Sequence, residues 1–175
     1  MEIMKSPLEL LDFNILRSEY SFEHPVGQEE INVRQMVTDY VLDFDYMIKT
    51  SGENLYAIFT KVIVNDGENK LPGHSIFAEA VSVFRINPEF PDKLETDDIK
   101  SLINFSAVTI AFSNIRGFIS DITAYTPPGK YLVPIFDLQS LIKKKQEKML
   151  LLKKANTSLK AKANKKKIVA KTKRG

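Results

Sequence analysis

The hydrophobic pattern of this chain changes its period once, near residue 95, and this change limits the fold more than any other feature. Before that point apolar residues recur at every second position, as in LDFDYMI, where Leu42, Phe44 and Tyr46 alternate with acids. After it they recur at intervals of three and four residues, from Ile99 to Ile122. A period of two is typical of strands, and a period near 3.6 is typical of helices. The sequence therefore predicts strands first and helices second.

Four strands are predicted in the first 90 residues. The segment LYAIFTKVIV is apolar on both faces and rich in β-branched and aromatic residues, which favours a central strand. The turn-rich stretch NDGENKLPG separates it from a further strand, HSIFAEAVSVFRI. In the first strand the apolar phase changes near Arg17, which predicts a bulge or bend there. Short turns predict antiparallel pairing of the later strands, whereas the longer connection from Pro25 to Val37 leaves room for a crossover.

The C-terminal part of the chain predicts two helices. Thr96 has the character of an N-cap, because two acids follow it in the first turn. The helical pattern fits one kinked helix or two shorter ones, because residues 104–106 or Gly117 can interrupt it. It ends before the sequence TPPG, and an extended piece then leads to Asp137, a second candidate N-cap. The predicted fold class is α+β: a four-stranded antiparallel sheet, a long helix and a C-terminal helix.

Charge is divided unevenly along the chain. Residues 143–175 hold 13 Lys, one Arg and one Glu, whereas residues 1–142 hold 11 basic and 21 acidic residues. An acidic body of net charge −10 therefore carries a basic tail of net charge +13. We expect one domain over residues 1–155 and a disordered basic tail over residues 156–175, because the tail has little apolar surface to bury.

Composition excludes several classes of function. The chain has no Cys, which excludes disulfides, thiolate catalysis and Cys-ligated zinc and favours a reducing compartment. No signal peptide and no apolar run of ~20 residues is evident, so we expect a soluble cytoplasmic protein. His24 and His74 lack partners at the spacing of a metal site, so a structural or solvent-exposed role is expected for each. Asp43 and Asp45 alternate outward, as on a solvated sheet face. The sequence predicts neither a cofactor nor an enzyme.

The lysine-rich tail leaves a second class of function open. Clusters such as the three Lys at 165–167 neutralise phosphates through counterion release. The tail has no aromatic residue for base stacking, however, and a single Arg for contacts with base edges. Any binding to nucleic acid or to a ribosome is therefore expected to be weak, non-specific and sensitive to salt. A solvated terminus explains the same composition.

The order of these elements, with several local motifs, resembles the SecB family of protein-export chaperones. SEYSFEHP resembles the first strand of the family, VLDFD the second, FAEAVSVFRI the fourth, and YLVPIFDLQSLI the link to the last helix. Phe112 and Arg116 match a phenylalanine and an arginine four residues apart in the long helix. There are departures: the fourth strand lacks the Gly-Gly pair, Ser113 replaces a proline, and the tail is basic. A tail-mediated contact with the export motor SecA is therefore not implied.

The resemblance implies a function and a docking surface. SecB-like proteins are ATP-independent holdases, assembled as dimers of dimers, whose clients are preproteins for Sec-dependent export or, in a related role, an antitoxin. In the family, acids on the outer face of the sheet bind the basic end of SecA. The matching residues here are Glu19, Glu23, Phe77 and Glu79. A solvated sheet face explains the same acids.

A holdase also needs exposed apolar surface near unpaired backbone groups, because it binds unfolded chains without reading their sequence. The candidates for this client-binding groove are Phe105, Phe112, Phe118, Tyr125 and Tyr131. For any single one of them a place in the core is the favoured interpretation. The predicted function is a holdase for non-native polypeptides, and the alternative is binding of nucleic acid or a ribosome through the tail.

Overall fold

The protein is described by a computed structural model. The residues it describes are 5–25, 38–52, 54–68, 70–90, 95–126, 129–135, 137, 139–145 and 147. The chain divides into two compact units, Met1–Pro134 and Ile135–Gly175. The predicted tail, residues 156–175, lies outside the described residues, so its boundary stays a prediction.

The first unit is built on a four-stranded antiparallel sheet. Its strands are β1 (Leu8–Glu23), β2 (Leu42–Thr50), β3 (Leu55–Val64) and β4 (Gly73–Ile86), in the order β1-β4-β3-β2. The central place predicted for β3 is confirmed. Strands β1 and β2 form opposite edges of the sheet, so they are not neighbours, in agreement with the crossover that the length of their connection allowed.

Strand β1 is irregular at two places. Its register against β4 skips Leu11 and, further along, Leu16. Each is the extra residue of a β-bulge, and both are exposed. The second bulge directly precedes Arg17, where the sequence predicted a change of phase. Bulges on an edge strand hinder pairing with other sheets, so β1 is the more protected of the two edges.

The two faces of the sheet differ in burial. Paired residues of neighbouring strands point to the same face, so the even-numbered residues of β2, β3 and β4 share one face. We call this the core face; it buries Ile58, Val62 and Phe84, among others. The odd-numbered residues of β2–β4, with their partners on β1, form what we call the open face. Its central residues, such as Phe59 and Val81, are half-buried.

A long helical segment covers the core face. It consists of α1 (Thr96–Ser101), a π-helical stretch (Leu102–Ala107) and α2 (Val108–Thr123). The buried residues of α2 recur at helical spacing, among them Ala111, Ile115 and Ile119. They form the helical side of the core, because α2 packs against β1, β3 and β4. The predicted α+β architecture is thus confirmed.

Two details of the helix differ from the sequence analysis. The N-cap is Glu95 and not Thr96, because the Glu95 and Asp98 side chains bond each other's backbone N–H groups in a capping box. The irregularity falls in the π-helical stretch, where residues 104–106 lie, and α2 continues through Gly117 without a break. A π-helical turn inserts a residue into the helical register, and local spacing does not reveal it.

The same segment, Thr96–Thr123, is long and apolar enough by length and composition alone to cross a membrane. Here one side of it packs on the sheet, however, as in the core helix of a soluble protein.

After α2 the first unit ends in an extended link, residues 129–134, that is tied to the helix. The Arg116 guanidinium donates to the Val133 carbonyl oxygen from Nε at 3.1 Å and from Nη2 at 2.8 Å. The Tyr131 N–H donates to the Thr123 hydroxyl at 2.9 Å. These bonds satisfy buried backbone groups of a segment that has no ladder of its own.

The second unit contains the start of a C-terminal helix, α3 (residues 139–145). Asp137 Oδ1 accepts the Ser140 N–H at 3.1 Å, and Oδ2 accepts the Ser140 hydroxyl at 2.5 Å. These bonds lower the pKa of the Asp137 carboxyl. Asp137 therefore caps the helix, as predicted.

Candidate functional site

The residues predicted to dock a partner lie on the open face. In the β1–β4 register Glu19 is opposite Phe77, and Arg17 is opposite Glu79. Glu23 lies at the end of the same strand. The structure therefore brings Glu19, Phe77 and Glu79 together at adjacent positions, with Glu23 further along.

Basic side chains neutralise part of this acidic surface. Arg17 forms an ion pair with Glu19, and its guanidinium carbon lies 4.8 Å from the centroid of the Phe77 ring. The Lys70 ammonium lies 3.4 Å from a carboxylate oxygen of Glu23. Exposed ion pairs are weak and are screened by salt. A basic partner could therefore displace Arg17 and Lys70 from these acids at low energetic cost.

A row of alternating charge crosses the open face. The registers align one side chain from each strand, in the order Arg17, Glu79, Lys61 and Asp45. We call this row the charge ladder. Lys61 was not identified from the sequence as part of a site, and Asp45 was assigned only to a solvated face. Their odd numbers, which place them on the same face as Glu79, are the signal that could have found them.

Two shallow depressions lie on this part of the sheet, and the first of them includes Glu79, Lys61 and Asp45 of the ladder. One of about 250 Å³ is lined by Leu16, Asp45 and Phe59, among others. The other, of about 210 Å³, is lined by Glu19 and Lys70, with further residues of β1 and β4. Both mix charged and apolar walls, which suits contact with a polypeptide surface.

The predicted groove residues do not form one surface. Tyr125 is 98% exposed and Phe105 is 38% exposed, whereas Phe118 is half-buried. Phe112 and Tyr131 are 3% and 1% exposed, so both lie in the core of this chain. The sequence identifies these residues as aromatic, but the packing of the chain on the sheet decides which of them are buried.

Phe112 lies beneath the edge strand β2. Its ring meets those of Phe44 and Tyr46 edge-on, with centroids 6.1 and 6.4 Å away. Phe44 is half-buried, and so are Leu42 and Ile48 on the same face. The edge of the sheet therefore presents apolar side chains that the helix covers in part.

In β2 the backbone N–H and C=O groups of the even-numbered residues point away from the sheet. The Asn65 N–H donates to the Val41 carbonyl at 2.8 Å, and the Ser51 N–H donates to the Leu55 carbonyl at 2.9 Å. These bonds fix the odd-numbered residues of β2 as the ones bonded to β3, so the N–H and C=O groups of the even-numbered residues point away from the sheet. The Asp45 carboxylate accepts the N–H of Tyr46 at 2.8 Å. The pairing of β2 with β3 is regular along the strand, and the Asp45 side chain occupies the outward N–H group of Tyr46.

A buried polar cluster surrounds His74, whose side chain is 1% exposed. Its backbone N–H donates to the Tyr40 hydroxyl at 3.0 Å, which in turn donates to the Pro72 carbonyl at 3.1 Å. The Tyr20 hydroxyl lies 3.4 Å from Nδ1. Burial lowers the pKa of the His74 imidazole, because a buried site disfavours the charged form of the ring. His24, by contrast, is exposed.

Comparisons with known proteins relate the fold to one chaperone structure. No family model matches the chain, and no curated protein matches its sequence. A SecB-like chaperone of Mycobacterium tuberculosis, solved in complex with a ChAD peptide from the HigA1 antitoxin, matches with a TM-score of 0.50 at 11% identity, over 75% of this chain and 91% of that chain. A Streptococcus agalactiae protein of unknown function matches with a TM-score of 0.37 at 8% identity, over 74% of this chain and 97% of that chain. The first of these matches shows that the chain has a SecB-like fold.

Proposed function

We propose that this protein is an ATP-independent holdase chaperone that binds non-native polypeptides. The observation that carries the proposal is the β2 edge, where the outward backbone groups of Leu42 and Ile48 lie beside the half-buried side chains of the same two residues. An unfolded segment can add to such an edge as an extra strand. Its backbone bonds are independent of sequence, and the apolar side chains add affinity. This combination is what a binder of many different clients requires.

Exposed aromatic residues extend the proposed client site. Phe105 and Tyr125 offer apolar surface on and after the long helical segment, and Phe118 offers part of its ring. Phe112 and Tyr131 support this surface from the core and do not touch a client in this conformation. Covering a fully exposed aromatic side chain is worth ~1.5–3 kcal/mol, so Tyr125 offers more binding energy than Phe105 or Phe118, which are already covered in part.

The proposed clients are preproteins for export or an antitoxin, held in the cytoplasm by a homotetramer. The peptide bound by the M. tuberculosis chaperone supports polypeptide as the class of ligand. The chemistry at the β2 edge needs neither nucleotide nor metal, because strand addition and apolar burial supply the binding energy.

We also propose that the open face docks a basic protein of the SecA type through Glu19, Glu23, Phe77 and Glu79. Changing both Glu19→Lys and Glu23→Lys should weaken docking at low salt and leave client holding intact. Binding of SecA by isothermal titration calorimetry measures the first quantity, and equal affinity before and after the change would remove the docking surface.

The holdase activity is tested by suppression of aggregation of a refolding protein at stoichiometric ratio, without nucleotide. Ile48→Lys places a charge at the β2 edge and should weaken holding about tenfold, the equivalent of about 1.4 kcal/mol of lost apolar contact. Met47→Lys is the matched control: Met47 is adjacent and 48% exposed, but it points to the open face. If the unmodified protein does not suppress aggregation, or if Met47→Lys weakens holding and Ile48→Lys does not, the proposed site is wrong.

The lysine-rich tail supports a second candidate function, binding of RNA or a ribosome. The tail, residues 156–175, holds eight of the 14 basic residues of the stretch 143–175 and no acid, which predicts affinity that falls steeply with salt. Deletion of residues 156–175 should abolish RNA binding and leave polypeptide holding unchanged. Polypeptide holding that survives the deletion favours the holdase, whereas RNA binding that vanishes with the deletion and falls steeply with salt favours this second candidate.

A further inference from the structure

The turn between β3 and β4 contains an aspartate followed by a glycine, Asp66 and Gly67, and no other aspartate of the sequence precedes a glycine. Both residues are exposed. Gly67 has a backbone φ of +142°, and a Cβ at this position would meet no atom within 4 Å. The peptide group between the two residues therefore has open space on its glycine side, and no side chain restricts its rotation there.

The Asp66 carboxylate lies against the backbone nitrogen of the residue that follows it. Its Oδ1 accepts the Gly67 N–H at 3.1 Å. Reacting groups about 3–3.5 Å apart are close to the geometry of attack. The Gly67 nitrogen therefore lies beside the carboxyl carbon with which it could close a succinimide ring. The Lys70 ammonium lies 3.6 Å from the same Oδ1, but the Asp66 side chain remains 49% exposed, so water reaches it.

Two aspartates of the sheet make the same contact without the same freedom. Asp12 accepts the N–H of Phe13, and Asp45 accepts the N–H of Tyr46, each at 2.8 Å. In both cases the following residue carries a large side chain and belongs to a strand that is paired with its neighbour. Rotation of either peptide group toward the carboxyl carbon would disturb that pairing. The contact is therefore shared by three sites, but only at Asp66 does it coincide with a glycine and an open turn.

The neighbouring amide of Asn65 is held by its own hydrogen bonds. Asn65 is 4% exposed, and its Oδ1 accepts the Leu71 N–H at 2.8 Å. Its Nδ2 donates to the Leu71 carbonyl at 2.7 Å and to the His74 carbonyl at 2.8 Å. An amide fixed by three bonds does not turn toward the next backbone nitrogen. The same bonds join the two ends of the turn, so Asp66 and Gly67 lie just outside a fixed base.

We propose that Asp66 is a modification site, at which the chain isomerises spontaneously to isoaspartate. In the first step the Gly67 nitrogen forms a bond with Cγ of the protonated Asp66 carboxyl, a C–O bond breaks, and the hydroxyl leaves as water with the amide proton. In the second step water adds to one of the two succinimide carbonyls. Addition at the former side-chain carbonyl restores aspartate, whereas addition at the former backbone carbonyl leaves the main chain running through Cγ. Nothing is oxidised or reduced, and water is the only co-reactant.

The product adds one methylene group to the backbone of the turn and places the carboxylate directly on the main chain. Because the Asn65 bonds fix the base of the turn, we expect the sheet to stay folded. The change falls on Lys70, whose ammonium lies 3.4 Å from Glu23 and 3.6 Å from Asp66. Asp66 and Lys70 both line the depression of about 210 Å³. The inference goes beyond the proposed function, since the reaction needs neither a client nor a docked partner.

Ageing of the full chain tests the proposal. The protein is incubated at about 37 °C and about pH 6, where more of an exposed carboxyl is protonated than at neutral pH, and is then digested with trypsin. The peptide of residues 62–70 should acquire a form of unchanged mass, altered retention time and reactivity with a methyltransferase that recognises isoaspartate. The converted fraction should exceed that at Asp12 and Asp45 by about tenfold to a hundredfold, because the approach of reacting groups is this sensitive to geometry.

Two variants of the exposed turn complete the test. Asp66→Glu keeps the charge, but its longer side chain cannot form a succinimide, so its peptide should stay unchanged. Asp66→Asn should convert faster than the unmodified chain, because an amide needs no protonation before ring closure, and its product carries the mass gain of deamidation. The proposal is overturned if the unmodified peptide ages no faster than that of Asp66→Glu, if Asp66→Asn resists conversion, or if Asp12 and Asp45 convert equally. Isoaspartate that arises in the unmodified peptide only with the mass gain of asparagine deamidation overturns it as well.

Discussion

Protonation of His74 should destabilise the fold at mildly acidic pH. The ring is 1% exposed and lies between aromatic neighbours, with centroids 5.4 Å from Tyr131 and 5.9 Å from Tyr20. The contacts that the structure describes around it come from tyrosines and backbone, and include no carboxylate that could stabilise an imidazolium. A charge on this ring would therefore be buried without a partner.

The sign and size of the effect follow from linkage. Burial lowers the pKa of His74 below its ordinary value of 6.5, and a backbone bond with Gly129 opposes part of this shift. Just below pH 6.5 the unfolded chain therefore binds more protons than the folded one. The free energy of unfolding should fall by up to about 1.4 kcal/mol per pH unit from about pH 6.5 downward, and level off below the folded-state pKa. Above about pH 7.5 this contribution is fully present.

The assay is urea denaturation at a series of pH values between 7.5 and 5. His74→Gln loses packing at every pH but removes the titrating group, so its stability should depend less on pH than that of the unmodified chain. Carboxylates titrate in both proteins and cancel in the difference. His24→Gln is the control, because His24 is exposed and its variant should keep the full slope. Equal slopes for all three proteins would refute the reasoning.

Two further predictions concern the stability of the first unit. Gly73→Ala should destabilise the first unit by about 2–4 kcal/mol, because a Cβ at this position would lie 1.9 Å from the Tyr40 hydroxyl and the backbone φ is +115°. Gly117→Ala should instead stabilise the unit by about 0.5–1 kcal/mol, because Gly117 lies in a helix and a Cβ there would meet open space. Thermal unfolding of the two variants measures both effects. Arg116→Met removes both hydrogen bonds to the Val133 carbonyl, so we expect a loss of about 1–3 kcal/mol and faster proteolysis of the link, with partial recovery in Arg116→Lys. Unchanged cleavage would show that the guanidinium does not hold the link.

The sequence predicts the elements of this fold well because each has a local cause. Alternation between Leu42 and Ile48 predicts a strand with one covered face, and the change of apolar phase near Arg17 predicts a bulge. The Asp137 side chain caps a helix through its bond with the backbone N–H of Ser140, only three residues away. Such features depend on residues a few positions apart, which the sequence contains directly.

The candidate site is harder to predict because it depends on register. The sequence indicates that Glu79 faces solvent, but its position between Arg17 and Lys61 follows from the strand order and pairing. In the sequence Phe105 and Phe112 are both apolar residues of a predicted helix. In the structure Phe112 is buried, whereas Phe105 is exposed. These distinctions arise from contacts between distant parts of the chain.

The Asp45 side chain on the β2 edge has a consequence for the proposed holdase function. The carboxylate occupies the N–H of Tyr46, and on the opposite edge Asp12 accepts the N–H of Phe13 at 2.8 Å. A strand that pairs with either edge must first displace an aspartate carboxylate from a backbone N–H group. Two folded copies that meet edge to edge bring two such carboxylates close together, and these repel one another. A client segment with a lysine or arginine side chain can instead form an ion pair with the carboxylate and free the N–H group. In the proposed holdase, the aspartates would therefore hinder fibre growth between copies of the chain and still admit client segments at the edges.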